Sequence, residues 1–193
     1  MYRPTDLADL YDVCIRTGDA GDDATPNYAD PSILPVIFAA PYATLEPELT
    51  FVVDNGTRVV GYVLGTADTE AFVKRFRAEW LPTVADRYPA VPDPATSDQR
   101  MAQLLHHPEH MLRPEFAEYP AHLHIDLLPE AQGAGNGRAL MQTYWSALRE
   151  RGVPGVHLAM STSNVRARAF YDRMGFHELS YDPDTTTCLG YRL

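Results

Sequence analysis

The sequence predicts an α/β fold with a mixed central sheet flanked by helices. Three observations carry that reading. Two apolar, β-rich runs at 49–53 and 59–64 flank Asp54-Asn55-Gly56-Thr57, the signature of a hairpin. A run at 122–128 alternates like a strand and passes through a glycine-rich turn into a helical pattern at 137–149. A second strand-like run at 156–160 leads into a helical pattern at 165–174. Strands that alternate with helices in this way bury the helices against a sheet.

The remaining elements follow in chain order. Tyr2-Arg3 reads as the stub of a first strand. Thr5 or Asp6 caps a helix whose apolar positions are Leu7, Leu10, Tyr11 and Cys14. Residues 18–26 form a polar loop. Asp30-Pro31 reads as an N-cap followed by Pro at the first helical position, opening a short helix through Ile33, Ile37 and Phe38 that ends before Pro41. Residues 65–121 are an insertion within one domain spanning 1–193, because so short a piece cannot bury a core of its own. It carries an amphipathic helix over 70–88 with Phe72, Phe76, Trp80 and Leu81 as its stripe, which Pro82 kinks or ends. A proline-rich loop at 89–94 and a helix over 97–106 complete it. Gly152 and Gly175 close the helices that precede them. The last two strands are expected at 176–181 and 188–193.

Composition narrows the function. The 193 residues carry a net charge of −10, which argues against a nucleic-acid partner and favours cationic acceptors such as amines. No run approaches the ~20 apolar residues of a membrane helix, and the N-terminus lacks the apolar stretch of a signal peptide. Two cysteines, Cys14 and Cys188, read as reduced thiols of a cytoplasmic protein. His106-His107-Pro108-Glu109-His110 is metal-capable in composition but has no helical ligand spacing, so no metal site is expected.

Gln132-Gly133-Ala134-Gly135-Asn136-Gly137 lies between a strand and a helix. The first turn of a helix leaves N–H groups unpaired at the positive end of its dipole, and small residues let a phosphate approach them. No Lys-Ser/Thr follows, so this is not a Walker loop, and it makes a poor dinucleotide fingerprint. A plain tight turn is the bland alternative. The second half decides between them: Gln132-x-x-Gly135-x-Gly137, a strand, then Asn164-x(2)-Ala167-x(2)-Phe170-Tyr171-x(3)-Gly175-Phe176. With these motifs the chain resembles the GNAT superfamily of N-acetyltransferases over about residues 120–180. The hairpin fits that family's second and third strands. His124-Ile125-Asp126-Leu127-Leu128-Pro129, the long segment before it and Glu48 to Val53 further resemble bacterial proteins similar to the C-terminal acetyltransferase-like region of O-GlcNAcase.

The resemblance implies a GNAT-like sheet, splayed between 122–128 and 156–160, with a cleft for the coenzyme's pantetheine. It implies acetyl-CoA as co-substrate, no metal, and direct transfer of acetyl to an amine, small-molecule or protein, in a ternary complex. The alternative it leaves open is a coenzyme-binding or protein-interaction module without activity. Such domains often pair, so a homodimer is compatible with it. The N–H groups from Gln132 through Gly133, Ala134, Gly135, Asn136 and Gly137 to Arg138 are implied to bind pyrophosphate. Arg138 is either a phosphate contact or a solvated helix residue. Asn164 is an N-cap, a coenzyme contact, or both. Leu127 or Leu128 is implied to offer an N–H to the thioester carbonyl, since Pro129 has none. Tyr171 is implied to be the general acid that protonates the leaving thiolate; the alternative is a packed aromatic. His122, His124 and Asp126 share one strand face, and either His124 or Asp126 is the candidate base. Trp80, Tyr88 and Tyr119 either shape an acceptor pocket or pack the insertion onto the sheet.

Overall fold

The computed structural model describes all residues, Met1–Leu193. Its six strands are β1 (Phe51–Asp54), β2 (Val59–Thr66), β3 (Ala121–Leu127), β4 (Gly155–Ser161), β5 (His177–Tyr181) and β6 (Thr186–Arg192), in one sheet of order β1-β2-β3-β4-β6-β5. Every neighbouring pair is antiparallel except β3 and β4. Those two run parallel and pair only at Ala121–Val156 and His122–His157. Beyond that point β3 stays with β2 and β4 stays with β6, so the sheet splits toward the C-terminal ends of both strands.

Alternation along the strands sorts side chains to two cores. Val60, Tyr62 and Leu64 of β2 face helices α1 (Leu7–Thr17), α2 (Ile33–Phe38) and α3 (Ala40–Leu45). Val63 of β2 and Ala121 and Leu123 of β3 face helices α7 (Asn136–Glu150) and α8 (Val165–Met174). The 65–121 segment contributes α4 (Thr69–Arg75), α5 (Leu81–Val84) and α6 (Ser97–His106). Its Phe72, Phe76, Leu81, Tyr88, Ala102 and Leu105 join the first of these cores.

Several expected boundaries move. Tyr2-Arg3 is not a strand; the Tyr2 N–H donates to the Thr50 carbonyl, and a 3₁₀ turn follows at once. Leu49 sits in a 3₁₀ turn, so β1 begins at Phe51. Pro41 opens α3 rather than ending a helix, because proline in a first turn costs no hydrogen bond. The 70–88 helix is broken into α4, a π-turn at Phe76–Trp80 and α5. The π-turn offsets the ladder so that Pro82 falls in the first turn of α5, where it is tolerated.

Gly65 makes the closest approach in the sheet. A Cβ there would lie 2.0 Å from the His122 carbonyl oxygen and 2.3 Å from the Tyr144 hydroxyl. That hydroxyl donates to the His122 carbonyl at 2.8 Å, fastening α7 to the point where β3 and β4 part. Gly56 has φ +96° but open space around it. Gly65→Ala is therefore expected to lose about 3 kcal/mol or more in urea unfolding through overpacking. Gly56→Ala should lose only about 1–2 kcal/mol through its left-handed backbone.

Candidate active site

The glycine turn is built by its own side chains. After β3, a 3₁₀ turn over Pro129–Ala131 reverses the chain. Gln132 Nε2 donates to the Leu127 carbonyl at 2.9 Å, and Asn136 Nδ2 donates to the Ala131 carbonyl at 2.9 Å. Gly133 and Gly135 have φ of +77° and +85°, which is why glycine is needed at both. A Cβ at either would meet nothing within 4 Å. Gly137 serves differently: a Cβ there would press on the Phe170 ring at 3.3 Å, so it lets α7 and α8 approach.

The first α7 bond runs from the Ala139 N–H to the Gly135 carbonyl, and the Gln132 N–H is spent on Pro129. The N–H groups of residues 133 to 138 have no acceptor in the protein. Six consecutive free donors at the positive end of a 15-residue helix form an anion site. The sequence reading of Gln132 is corrected accordingly: its amide nitrogen is occupied, and its side chain ties the turn to β3.

Gly133, Gly135, Gly137 and Arg138 of this row line a cavity of about 610 Å³ that runs to the split in the sheet. Ile125, Asp126 and Leu127 of β3 and Tyr171 of α8 stand along it. Arg138, Arg166 and Arg173 also line it, a cationic wall in an acidic protein. Arg166 pairs with Asp22 at 3.0 Å, whereas Arg138 and Arg173 have no carboxylate partner. Asn164 caps α8, its Oδ1 accepting from the Ala167 N–H at 2.9 Å, and it also borders the cavity. The capping role expected of Asn164 is therefore present, and its position leaves it beside the cavity.

Leu127 and Leu128 separate. The Leu128 N–H donates to the Val60 carbonyl at 2.9 Å and is not available to a ligand. Antiparallel alternation then turns the Leu127 N–H away from β2, toward the split. Of the two, Leu127 is the residue whose N–H faces the cleft.

The Tyr171 hydroxyl has no hydrogen-bond partner, yet only Trp145 Nε1 is a sealed polar atom without one. The phenol therefore opens to the cavity it lines. Burial, helped by the Asp126 charge, raises its pKa and keeps it protonated. Asp126 accepts from the Tyr62 hydroxyl at 2.8 Å; burial outweighs that bond and raises its pKa to about 6.

His124 lies two residues back on the same face of β3 but lines a different cavity, of about 140 Å³. A hydrogen-bonded chain fixes its tautomer. Thr69 Oγ1 must donate to the Pro120 carbonyl at 2.7 Å, so it accepts from His122 Nδ1–H at 2.8 Å. Neutral His122 then accepts at Nε2 from the Tyr42 hydroxyl at 2.8 Å, and Tyr42 accepts from His124 Nε2–H at 3.1 Å. The bare Nδ1 of His124 has no partner and is not sealed. Burial lowers the pKa of His124 to about 4 and holds that of His122 well below its usual value.

The insertion supplies Phe76, Leu104, Met111 and Phe116 to this second cavity. Trp80, Tyr88 and Tyr119 do not line it. Trp80 Nε1 donates to the Val36 carbonyl and the Tyr88 hydroxyl to Asp30, so both anchor the insertion. The sequence reading missed α3 as a site element, and with it Tyr42. His110 of the metal-capable run borders the cavity.

The split sheet and the anion-binding turn at its mouth define an acetyltransferase-type α/β fold. Residues 105–178 match the family model of the acetyltransferase (GNAT) domain. The crystal structure of SsHAT is 57% identical with a TM-score of 0.95, covering 99% of this chain and 95% of that one. Protein O-GlcNAcase of Rattus norvegicus is 24% identical over 182 residues, covering 93% of this chain and 20% of the relative. The chain thus spans about a fifth of the length of the curated relatives it matches. A ribosomal-protein-alanine N-acetyltransferase from Brucella melitensis shares the fold at a TM-score of 0.55 and 16% identity, with 100% and 97% of the chains covered. The chain belongs to the GNAT acetyltransferase family. None of its helices is long and apolar enough to cross a membrane.

The buried imidazoles set an acid limit. His122, His124 and His157 all have depressed pKa values in the folded state, chiefly through burial. A depressed base binds its proton more tightly unfolded, so the stability it contributes is complete above about pH 6.5 and is lost as pH falls toward about 4. Urea unfolding across that window should show stability falling with decreasing pH, and His122→Gln should shallow the slope. Asn164→Ala should cost about 1 kcal/mol through loss of the α8 cap.

Proposed function

We infer that this protein transfers an acetyl group from acetyl-CoA to an amine by direct attack. The observation that carries this reading is the row of six free N–H groups leading along one cavity to Tyr171, Asp126 and the Leu127 N–H. The free amides and Arg138 fit a pyrophosphate, and Arg173 is a second cation without a carboxylate partner on the same wall. The stretch lined by Ile125, Asp126 and Leu127 suits a pantetheine arm lying in the split between β3 and β4.

In this reading each residue has one task. The Leu127 N–H holds the thioester oxygen as charge develops on it. Asp126 removes the amine proton; a carboxylate raised to about 6 is still mostly ionised at neutrality and is a stronger base than an exposed one. Tyr171 donates to the departing sulfur, and its raised pKa ensures that it carries the proton to give.

Calorimetry with acetyl-CoA tests the coenzyme site. Wild type should bind saturably, and Gly135→Glu should not, because a carboxylate would enter the row of amides. No binding by wild type removes the reading. Tyr171→Phe should retain binding and lose about 10²-fold in thiol release. Unchanged turnover would reassign Tyr171 to packing, and binding without turnover on any amine would make the domain a coenzyme-binding module.

A pH profile tests the base. With Asp126 accepting the proton, kcat/KM on a weakly basic amine should rise as pH increases through about 6 and then level off. Asp126→Asn should remove that rise.

A further inference from the structure

The second cavity carries chemistry that neither the family nor its relatives specify. It lies on the α2–α3 face of the sheet and touches both β3 at 122–124 and β4 at 157–159, where the strands begin to part. The coenzyme cavity begins one residue further along β3, at Ile125, so the two cavities adjoin along the strand without sharing a wall residue. At about 140 Å³ it matches the size of a cavity that takes up a benzene ring. Phe38, Tyr42, Phe76 and Phe116 supply aromatic walls suited to edge and face contacts with such a ring.

No carboxylate lines this cavity. Its titratable groups are Tyr42, His110, His122, His124, His157 and Arg113. The imidazoles are held neutral by burial, and the one permanent charge is cationic. Asp126, the nearest acid along β3, lines the other cavity and receives the Tyr62 hydroxyl. An alkylammonium would enter with no anion to meet it, at a heavy desolvation cost. The relay from Thr69 through His122 and Tyr42 leaves Nδ1 of His124, a residue of this wall, as an unpartnered acceptor, and His157, whose Nδ1–H donates to the Tyr119 carbonyl, leaves its Nε2 likewise; both suit an N–H donor. Arg113 already lies over the Phe116 ring, 5.8 Å from its centroid, which weakens that face as a seat for a second cation.

We propose that the second cavity is the acceptor site and that it selects small aromatic amines, bound uncharged with an amine hydrogen on His124 Nδ1. The proposal rests on the acetyl-transfer reading for its chemistry, but not for its binding. In the transfer, the amine nitrogen bonds to the acetyl carbon and the carbon–sulfur bond breaks. The amine proton goes to Asp126 and the sulfur takes one from Tyr171, giving an anilide and free thiol. Tyr171 regains its proton from Asp126 through solvent, with no other reactant needed. His124 is a positioning residue that receives a hydrogen bond and does not hold the proton.

Aniline and cyclohexylamine form the decisive pair, being similar in size while the first is uncharged and the second cationic near neutrality. Saturation-transfer NMR without acetyl-CoA should detect aniline and not cyclohexylammonium. Ala159→Trp, at an exposed β4 position bordering the cavity, should abolish the aniline signal while calorimetric acetyl-CoA binding stays unchanged. With acetyl-CoA present, thiol release should be at least about tenfold faster with aniline, and flat between about pH 7 and 9. His124→Phe should raise KM for aniline with little change in kcat, and His124→Gln should restore part of the loss. Equal or stronger binding of cyclohexylammonium, or an aniline signal that survives Ala159→Trp, overturns the proposal. Acetyl-CoA binding with no aniline binding overturns it while leaving the acetyl-transfer reading intact. Aniline binding without acetyl-CoA binding does the reverse.

Discussion

Everything at the site depends on how briefly β3 and β4 hold together. Parallel strands this close would ordinarily continue their ladder, and here it stops after two residue pairs. Beyond that point the outer edges of both strands stay paired while the facing edges part. β3 keeps a full antiparallel register with β2, and β4 keeps one with β6. The inward N–H of Leu127 is left facing a gap, at the bottom of a cavity that water can reach. A gap of this kind is stable only because the strands on either side are fully paired.

The polar groups around that gap are arranged in opposite ways on the two faces of the sheet. On the α7–α8 side the donors are backbone amides without partners, and arginines add positive charge. On the α2–α3 side a hydrogen-bonded chain starts at the Pro120 carbonyl and ends at His124, whose Nδ1 is left as a bare acceptor. One face is therefore short of acceptors, whereas the other presents imidazole lone pairs. This division, more than the net charge of the chain, describes what each side accommodates. The overall acidity suggested a cationic acceptor, but Asp126 is the single carboxylate along either cavity.

Local signals in the sequence were read well where a backbone requirement dictated the residue. The Asn-Gly hairpin, the glycine turn after β3 and the Asn164 cap all come from such requirements, and each is found where the pattern placed it. Alternation also put His122, His124 and Asp126 on one face. What alternation could not show is that a strand crossing a split carries same-face residues into different cavities. Nor could it show that the Leu128 N–H is consumed by Val60, since that depends on register with a strand some 60 residues away. The π-turn before Pro82 was hidden for a similar reason: nothing in the local pattern of 70–88 marks the extra residue. Tyr42 escaped notice because Pro41 read as a stop, when in the structure it is a start.

The two cavities share no wall residue. Each therefore has its own set of side chains, and the boundary between them falls between His124 and Ile125 on β3. A protein built this way can present different chemistry on either side of that boundary. It also lets the two pockets drift independently under mutation. Changes around Met111 or Leu104 can alter one guest while the machinery for the other remains as it was.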